Sequence, residues 1–505
     1  MHRRLTIEIG LRFAVLEPQY EKDGNVSGLV AERYDRSKMV KLIQPANIGG
    51  KRVGVNPVTG ATYAAALIGA IAPNTGDIFN GMVTGKDPNY PRGLTTKPGL
   101  QLGPRFGFAW DVFGNAKTAV RGGFGVFTSI SDFQLLRLLG GQPPLVTTPQ
   151  INYGTLSGLA SSPGFVFPQD ILGVAGNGQV PRIMNASFSI QQNLGWGTVL
   201  DAGYVTSLGR HLLWQRNIGA IPLGANFLAA NADPTNTRVP LPPAFLRSYV
   251  GYNEVNIREW ASSSNYHSLQ VTVNRRFARG VQMGGAWTWS KSMDYNSSDL
   301  NSVSPLVSVR IWNYGLSDFD RTHVAKFNYL WDVPSPRSTA LPMRLAFQGW
   351  QVSGITSFVS GAPTAVGYSL VNAVDITGSP SQGSRVNVIA LPVLDKSDRT
   401  FSRNFNTDAF RVPAVGTVGN SARYDMRGPG INNWDVAVFK NFTLREPLRV
   451  QFRWETYNTF NHTQFSAFDT TARFDAQGRQ VNARFGEFTT AWLPRQMQFA
   501  LRFFF

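Results

Sequence analysis

Not one of the 505 residues is cysteine. Disulfide staples, thiolate metal sites and thiol catalysis are therefore excluded. Long apolar runs are missing as well, and nothing approaches the ~18 residues that a membrane-crossing helix needs. The opening stretch, Met1-His-Arg-Arg-Leu-Thr-Ile-Glu-Ile-Gly10, has no apolar core of an export signal. Blocks of five or more basic residues are also lacking, although the formal net charge is +17. Arg and Lys are scattered through strands and loops, which fits a hydrated wall better than a nucleic-acid footprint. No nucleic-acid partner is expected. A G-x-S-x-G elbow and an H-E-x-x-H helix are absent, and the five histidines show no ligand spacing. The chain is expected to be no enzyme and to carry no cofactor or metal.

What is present is alternation. Counting back from the end, Phe505, Phe503, Leu501, Phe499 and Met497 are all apolar, while the intervening set, Phe504, Arg502, Ala500, Gln498 and Gln496, is mostly polar or small. A period of two is the side-chain repeat of a β-strand, greasy on one face and wet on the other. At the other end, Leu5, Ile7, Ile9, Leu11 and Phe13 alternate with Arg4, Thr6, Glu8 and Arg12. The same pattern predicts twelve strands, near 4–13, 104–112, 117–128, 184–194, 198–206, 265–277, 281–290, 322–333, 348–359, 433–443, 448–460 and 495–505. Strands of ~10 residues are long enough to cross a bilayer at a tilt.

The connections between these strands run long, short, long, short. Residues 14–103, 129–183, 207–264, 291–321, 360–432 and 461–494 are long; 113–116, 195–197, 278–280, 334–347 and 444–447 are short. An antiparallel up-and-down transmembrane β-barrel does this, with tight periplasmic turns and long extracellular loops. A sandwich of soluble domains has no reason to segregate its loops. The long connections are rich in Gly, Pro, Ser and Asn, as at 140–149 and 372–385, and read as loops with little regular structure. Trp287, Trp289, Trp331, Trp350, Trp434 and Trp454 fall in or near strands, where interfacial aromatic girdles are expected.

Several stretches together resemble the barrel of Oar-like TonB-dependent transporters. They are GPRFGFAWDVFGNAKTAVRGGFGVF (103–127), NASFSIQQNLGWGTVLDAGYVTSLGRHLL (185–213) and YHSLQVTVNRRFARGVQMGGAWTWSKSMD (266–294), with SDFDRTHVAKFNYLWDVP (317–334), GWQVSGITSFVSGAP (349–363), RGPGINNWDVAVFKNF (427–442) and LRVQFRWETYNTFNHTQF (448–465). The resemblance spans nearly the whole chain. It implies a barrel of about 22 strands around a plug, with a TonB box and a carboxypeptidase-regulatory-like domain ahead of it. Twelve strands then make residues 1–505 the C-terminal portion of the barrel, without signal peptide, plug or TonB box. The implied activity is active uptake or export of a large, unidentified solute across the outer membrane of a Gram-negative bacterium. The implied partners are outer-membrane lipid, lipopolysaccharide, the barrel-assembly machinery and, through a plug absent from this chain, TonB. The alternative is a stand-alone porin or surface-adhesion barrel without TonB coupling. The resemblance also makes Phe505, Phe503, Leu501, Phe499 and Met497 a barrel-assembly signal.

Few residues suggest chemistry. Asp318, Asp320 and His323 are candidate metal ligands or acid–base groups; the plainer expectation is a strand-entry network in which Arg321 pairs the aspartates. Gly81-Met-Val-Thr-Gly85-Lys86 has a phosphate-loop flavour with one residue too few between its glycines. Arg4, Arg12, Arg276, Arg449, Arg453 and Arg502, with Glu8 and Glu455, are expected to face the lumen.

Overall fold

The alternating segments come together as one antiparallel sheet in the computed structural model, which describes residues 4–130, 137–152, 155–158, 161–299, 301–335, 340–445 and 448–505. Twelve strands form its main path: β1 (Leu5–Ala14), β2 (Gln101–Asp111), β3 (Thr118–Thr128), β4 (Arg182–Gly195), β5 (Thr198–Asn217), β6 (Tyr252–Ala278), β7 (Val281–Asp294), β8 (His323–Asp332), β9 (Trp350–Val359), β10 (Ile431–Arg445), β11 (Leu448–Tyr457) and β12 (Gln496–Phe504). Each pairs with its sequence neighbours, and every pairing is antiparallel. The pieces Gln169–Val174 and Gly315–Leu316 bring the sheet to 14 strands. All twelve expected segments are strands. β1 and β12 end the path, and among the described residues they do not pair with each other.

Register sorts the side chains into two faces. Ile7, Phe108, Gly122, Phe188, Tyr204, Leu269 and Trp289 stand opposite one another across seven strands. One residue along, the line reads Glu8, Gly107, Gly123, Ser187, Val205, Ser268 and Ser290. The first line is apolar and the second is small or polar. The apolar face is uncovered by protein: Ile9 is 79% exposed, Phe499 64% and Leu501 61%. A bare apolar face of this extent is stable where lipid covers it. The tryptophans sit toward its two rims. Trp287, Trp289, Trp434 and Trp454 lie toward the outer end, Trp331 and Trp350 toward the inner one.

The connections alternate in length as expected, so every long one leaves from the same end of the sheet. The inner turn Arg279-Gly280 has φ of +53° and +78°, which a two-residue type I′ hairpin requires at both positions. The inner connection before β9 carries a short helix, Leu341–Phe347. Of the expected short connections, residues 336–339 and 446–447 lie outside the described residues.

One expectation needs correction and another is extended. β5 has 20 residues and β6 has 27, more than the pattern predicts. Beyond the membrane-spanning length both faces of β6 are packed by loops, so strict alternation stops there: Tyr252, Val255, Ile257 and Trp260 are all buried. The long loops have little regular structure at 140–149 and 372–385, as expected, yet they are packed. They contain the buried apolar clusters of the molecule, and the spanning part of the wall contains none of these. One cluster joins Phe405, Phe410, Phe474 and Phe485 from the last two long loops. Another packs Leu29, Ile171, Val255 and Ile257 around the projecting part of β6. Lipid takes the place of a core for the wall, whereas the loops face water and must bury their own apolar side chains.

Candidate functional site: the inner wall and its outer mouth

The polar face of the sheet carries the expected lumenal side chains. Lys326 faces Ser357, which faces Asn433; Glu455 faces Gln498, and Gln451 faces Arg502. Of the expected lumenal charges, Arg449, Arg453, Glu455 and Arg502 come together on β11 and β12. Arg453 lies 3.9 Å from Glu455, donates from Nε to Gln451 Oε1 at 2.5 Å, and stands 5.1 Å from the centre of the Phe439 ring. Glu8 and Arg12 share this face but sit on β1, at the opposite end of the path. Arg4 and Arg276 sit at the inner end of the sheet, Arg4 just ahead of β1 and Arg276 near the end of β6. The Arg4 guanidinium lies over Gly114, and the Arg276 amide donates to the Gly197 carbonyl. The eight residues therefore form no single anion clamp.

At the outer end of β7 and β8 a network of buried carboxylates ties wall to loops. Arg423 Nη1 donates to Asp294 Oδ1 at 2.5 Å, and Arg423 Nη2 to Ser297 Oγ at 2.9 Å. Ser297 Oγ in turn donates to both carboxylate oxygens of Asp294. Beside it, Arg427 Nη2 donates to Asp320 Oδ2 at 2.5 Å, and Asp320 Oδ1 accepts from the Ser292 amide at 2.6 Å. Arg321 does not pair the aspartates as expected. Its Nη1 donates to the Asp318 and Asp320 main-chain carbonyls instead, while Arg427 from the next long loop takes the carboxylate. His323 stacks on Trp287 with 9° between the ring planes. Among the described residues no cluster of three or more His, Asp or Glu is placed to hold a metal ion.

Three recesses open here. One of about 480 Å³ lies at the mouth between Arg427, Tyr424, Arg399 and Phe488. Two more, of about 430 and 390 Å³, indent the polar face of β8–β12 and share Asp435 and Tyr457. The upper one is roofed by Trp492 and Leu493 from the last long loop.

The loops above are electrostatically ordered. Asp233 is buried, which by itself raises a carboxyl pKa. Hydrogen bonds from the Thr235 hydroxyl and amide, with the Arg52 guanidinium at 2.6 Å, outweigh burial and hold it below the usual range. Burial pushes the Tyr34 hydroxyl up to about 12, while it donates to the Val250 carbonyl at 2.9 Å. The Gly81–Lys86 stretch is no phosphate loop. Met82–Thr84 is a strand paired with Ser27–Leu29.

A family model described as "Outer membrane beta barrel domain" matches residues 1–498. The chain belongs to this family. The barrel domain is accordingly placed in the outer membrane of a Gram-negative bacterium, with its long loops outside. No curated protein matches it. Among solved structures it is similar to the outer membrane transporter YddB from Escherichia coli, with 11% identity, 82% of this chain and 42% of that one covered, and a TM-score of 0.43. It is also similar to the FrpB iron transporter from Neisseria meningitidis, at 12% identity, 82% and 40% coverage and a TM-score of 0.39. A third is the siderophore receptor PiuA from Acinetobacter baumannii, at 9% identity, 89% and 38% coverage and a TM-score of 0.37. The barrel domain thus spans about two fifths of the length of these transporters.

The terminal row of the barrel domain lies open on the apolar face. Phe503 is opposite Val450, Leu501 opposite Phe452 and Phe499 opposite Trp454, with the last pair of rings stacked 6° from parallel. Met497 is opposite Thr456, and Phe505 follows the end of β12. Arg423, Arg427, Asn458 and Trp492 were not singled out by sequence pattern. Their partners lie far away in the chain, and no local spacing marks them.

Proposed function

We propose that this chain forms part of the wall and the outer loops of an Oar-like, TonB-dependent transporter for a large solute. The observation that carries the reading is the two-faced twelve-strand path whose end strands, β1 and β12, have an unpaired edge each among the described residues. An isolated edge in lipid leaves backbone groups without partners, so further strands are required to close the wall. About ten more would complete a barrel of the plugged, 22-stranded kind. The packed outer loops support capture of a solute from outside, and a plug supplied elsewhere would couple the wall to TonB. On this reading the chain performs no covalent chemistry. Phe505, Phe503, Leu501, Phe499 and Met497 serve as the signal read by the barrel-assembly machinery. Deleting Phe505 should lower assembly in cells while leaving refolding in detergent unchanged.

The test is conductance in a planar bilayer, after heat-modifiable mobility has shown a folded wall. The chain alone should give no steady unit conductance. A steady open channel would establish the stand-alone porin instead.

A further inference from the structure

We propose that the upper recess of the inner wall binds a neutral polyhydroxylated ligand, a saccharide or glycoside. This rests on the reading of the polar face as lumenal, and it goes beyond that reading by naming a ligand class. The recess measures about 430 Å³, within the range of small-molecule sites. Its floor is the polar row of β8–β12, including Lys326, Asn433 and Asp435; Tyr457 and Trp492 are its aromatic walls. Tyr457 is 46% exposed and Trp492 59% exposed, so both rings have free surface.

Asn458 points to the ligand. It lines the recess, is 8% exposed, and its buried Oδ1 has no hydrogen-bond partner. The amide cannot simply be turned over. Its Nδ2 donates to the His462 and Leu493 carbonyls at 3.2 and 3.5 Å, and a flip would set oxygen against oxygen. The Asn458 amide nitrogen also donates to Asp435 Oδ1 at 2.9 Å, which fixes the main chain. An acceptor left without a protein partner is satisfied by a water or by a ligand donor, reached after a small shift of the side chain, since Oδ1 has no open surface in this arrangement.

The chemistry of the lining narrows the choice. Lys326 and Asp435 are its only charged residues, one of each sign, and no arginine is present. Anionic ligands such as ferric chelates are held by converging guanidinium and ammonium groups. Aromatic faces beside amide, hydroxyl and carboxylate groups instead suit a ring with apolar C–H faces and an equatorial fringe of hydroxyls. One such hydroxyl would donate to Asn458 Oδ1. The recess is also built to keep its shape. Gln464 Oε1 accepts from the Asn432 amide and Nε2 donates to the Asn432 carbonyl, while the Gln464 carbonyl accepts from the Trp492 amide at 2.8 Å.

The experiment uses the full chain in liposomes, with heat-modifiable mobility as the check on folding. Short neutral gluco-, xylo- and manno-oligosaccharides are titrated by tryptophan fluorescence and calorimetry. At least one series should bind saturably. Trp492→Ala and Tyr457→Ala should each weaken it by about tenfold or more, and Trp492→Phe should restore most of the affinity. Trp492 lies in an exposed loop, so its removal leaves the wall folded. A folded wall that binds none of the series overturns the site and leaves the wall reading intact. So does binding that neither aromatic variant changes, or saturable binding of an anionic ferric chelate at the same residues. A chain that folds in water without lipid or detergent overturns the wall reading, and this site with it.

Discussion

Arg427 reaches across 107 residues of sequence to place Nη2 2.5 Å from Asp320 Oδ2, in a carboxylate whose side chain has no exposed surface. The pair joins the loop before β10 to the loop before β8 at the mouth of the wall. Breaking it from the arginine side leaves a buried charge with only the Ser292 amide for company. Arg427→Ala should therefore destabilise the outer loops by roughly 3–5 kcal/mol. Asp320→Asn with Arg427→Met, which removes both charges, should cost clearly less. Hydrogen exchange of 295–322 and 360–430 measures this, and equal costs for the two changes would show that the ion pair is not what holds the loops.

Acid should loosen a different loop. The folded-state pKa of Asp233 is depressed, so its stabilisation is complete above the unfolded carboxyl value near ~3.9. It is lost as pH falls through the lower folded value. Limited proteolysis around 232–240 should be flat from neutral pH down to that region and then rise. Arg52→Ala should move the rise to higher pH, because one of the groups that outweigh burial is gone. A rise at the same pH in both proteins would exclude the Arg52 contact as a cause.

Two glycines with similar backbone angles should behave differently. Gly349 has φ +80° and a Cβ there would lie 2.3 Å from the Asn441 carbonyl oxygen. Gly50 has φ +74° with nothing within 4 Å. Gly50→Ala carries only the left-handed strain, on the order of 1–2 kcal/mol. Gly349→Ala adds a backbone collision beside the β9–β10 pairing and should reduce the heat-modifiable fraction outright. If both variants refold equally, the close approach at Gly349 is not maintained in the membrane.

The two faces of β12 can be read by charge. Leu501 lies in the apolar row and Ala500 in the row of Glu455 and Arg453. Leu501→Arg should cost about 2–4 kcal/mol in urea unfolding from liposomes if it lies near the bilayer midplane, and Ala500→Arg close to nothing. The reverse order would mean that the inside and outside of the wall are exchanged.

Much of this architecture is legible residue by residue. A period-two pattern is local: it needs no knowledge of partners, and Phe499, Leu501 and Phe503 declare a strand and its greasy side unaided. The alternation of loop lengths is equally local, and it orders the twelve strands and sends the long loops to one side. Lipid preserves this legibility, since a wall solvated by hydrocarbon needs no packing against distant segments.

Where the chain leaves the membrane, the pattern stops informing. The upper part of β6 is buried on both faces, so Tyr252, Val255 and Ile257 obey no simple period. Phe405 meets Phe485 at 5.1 Å between ring centres, although 79 residues of chain separate them and each sits among turn-forming neighbours. Arg321 looked like the partner of Asp320 because it is adjacent; the fold supplied Arg427. The same holds for Asn458, whose vacant oxygen matters only because Tyr457 and Trp492 converge on one recess. The sequence alone thus determined the strands, their faces and their order, because those depend on each side chain's choice between lipid and water. Tertiary structure decided the ion pairs, the loop cores and the recesses, because those depend on which distant groups the strand register brings within reach.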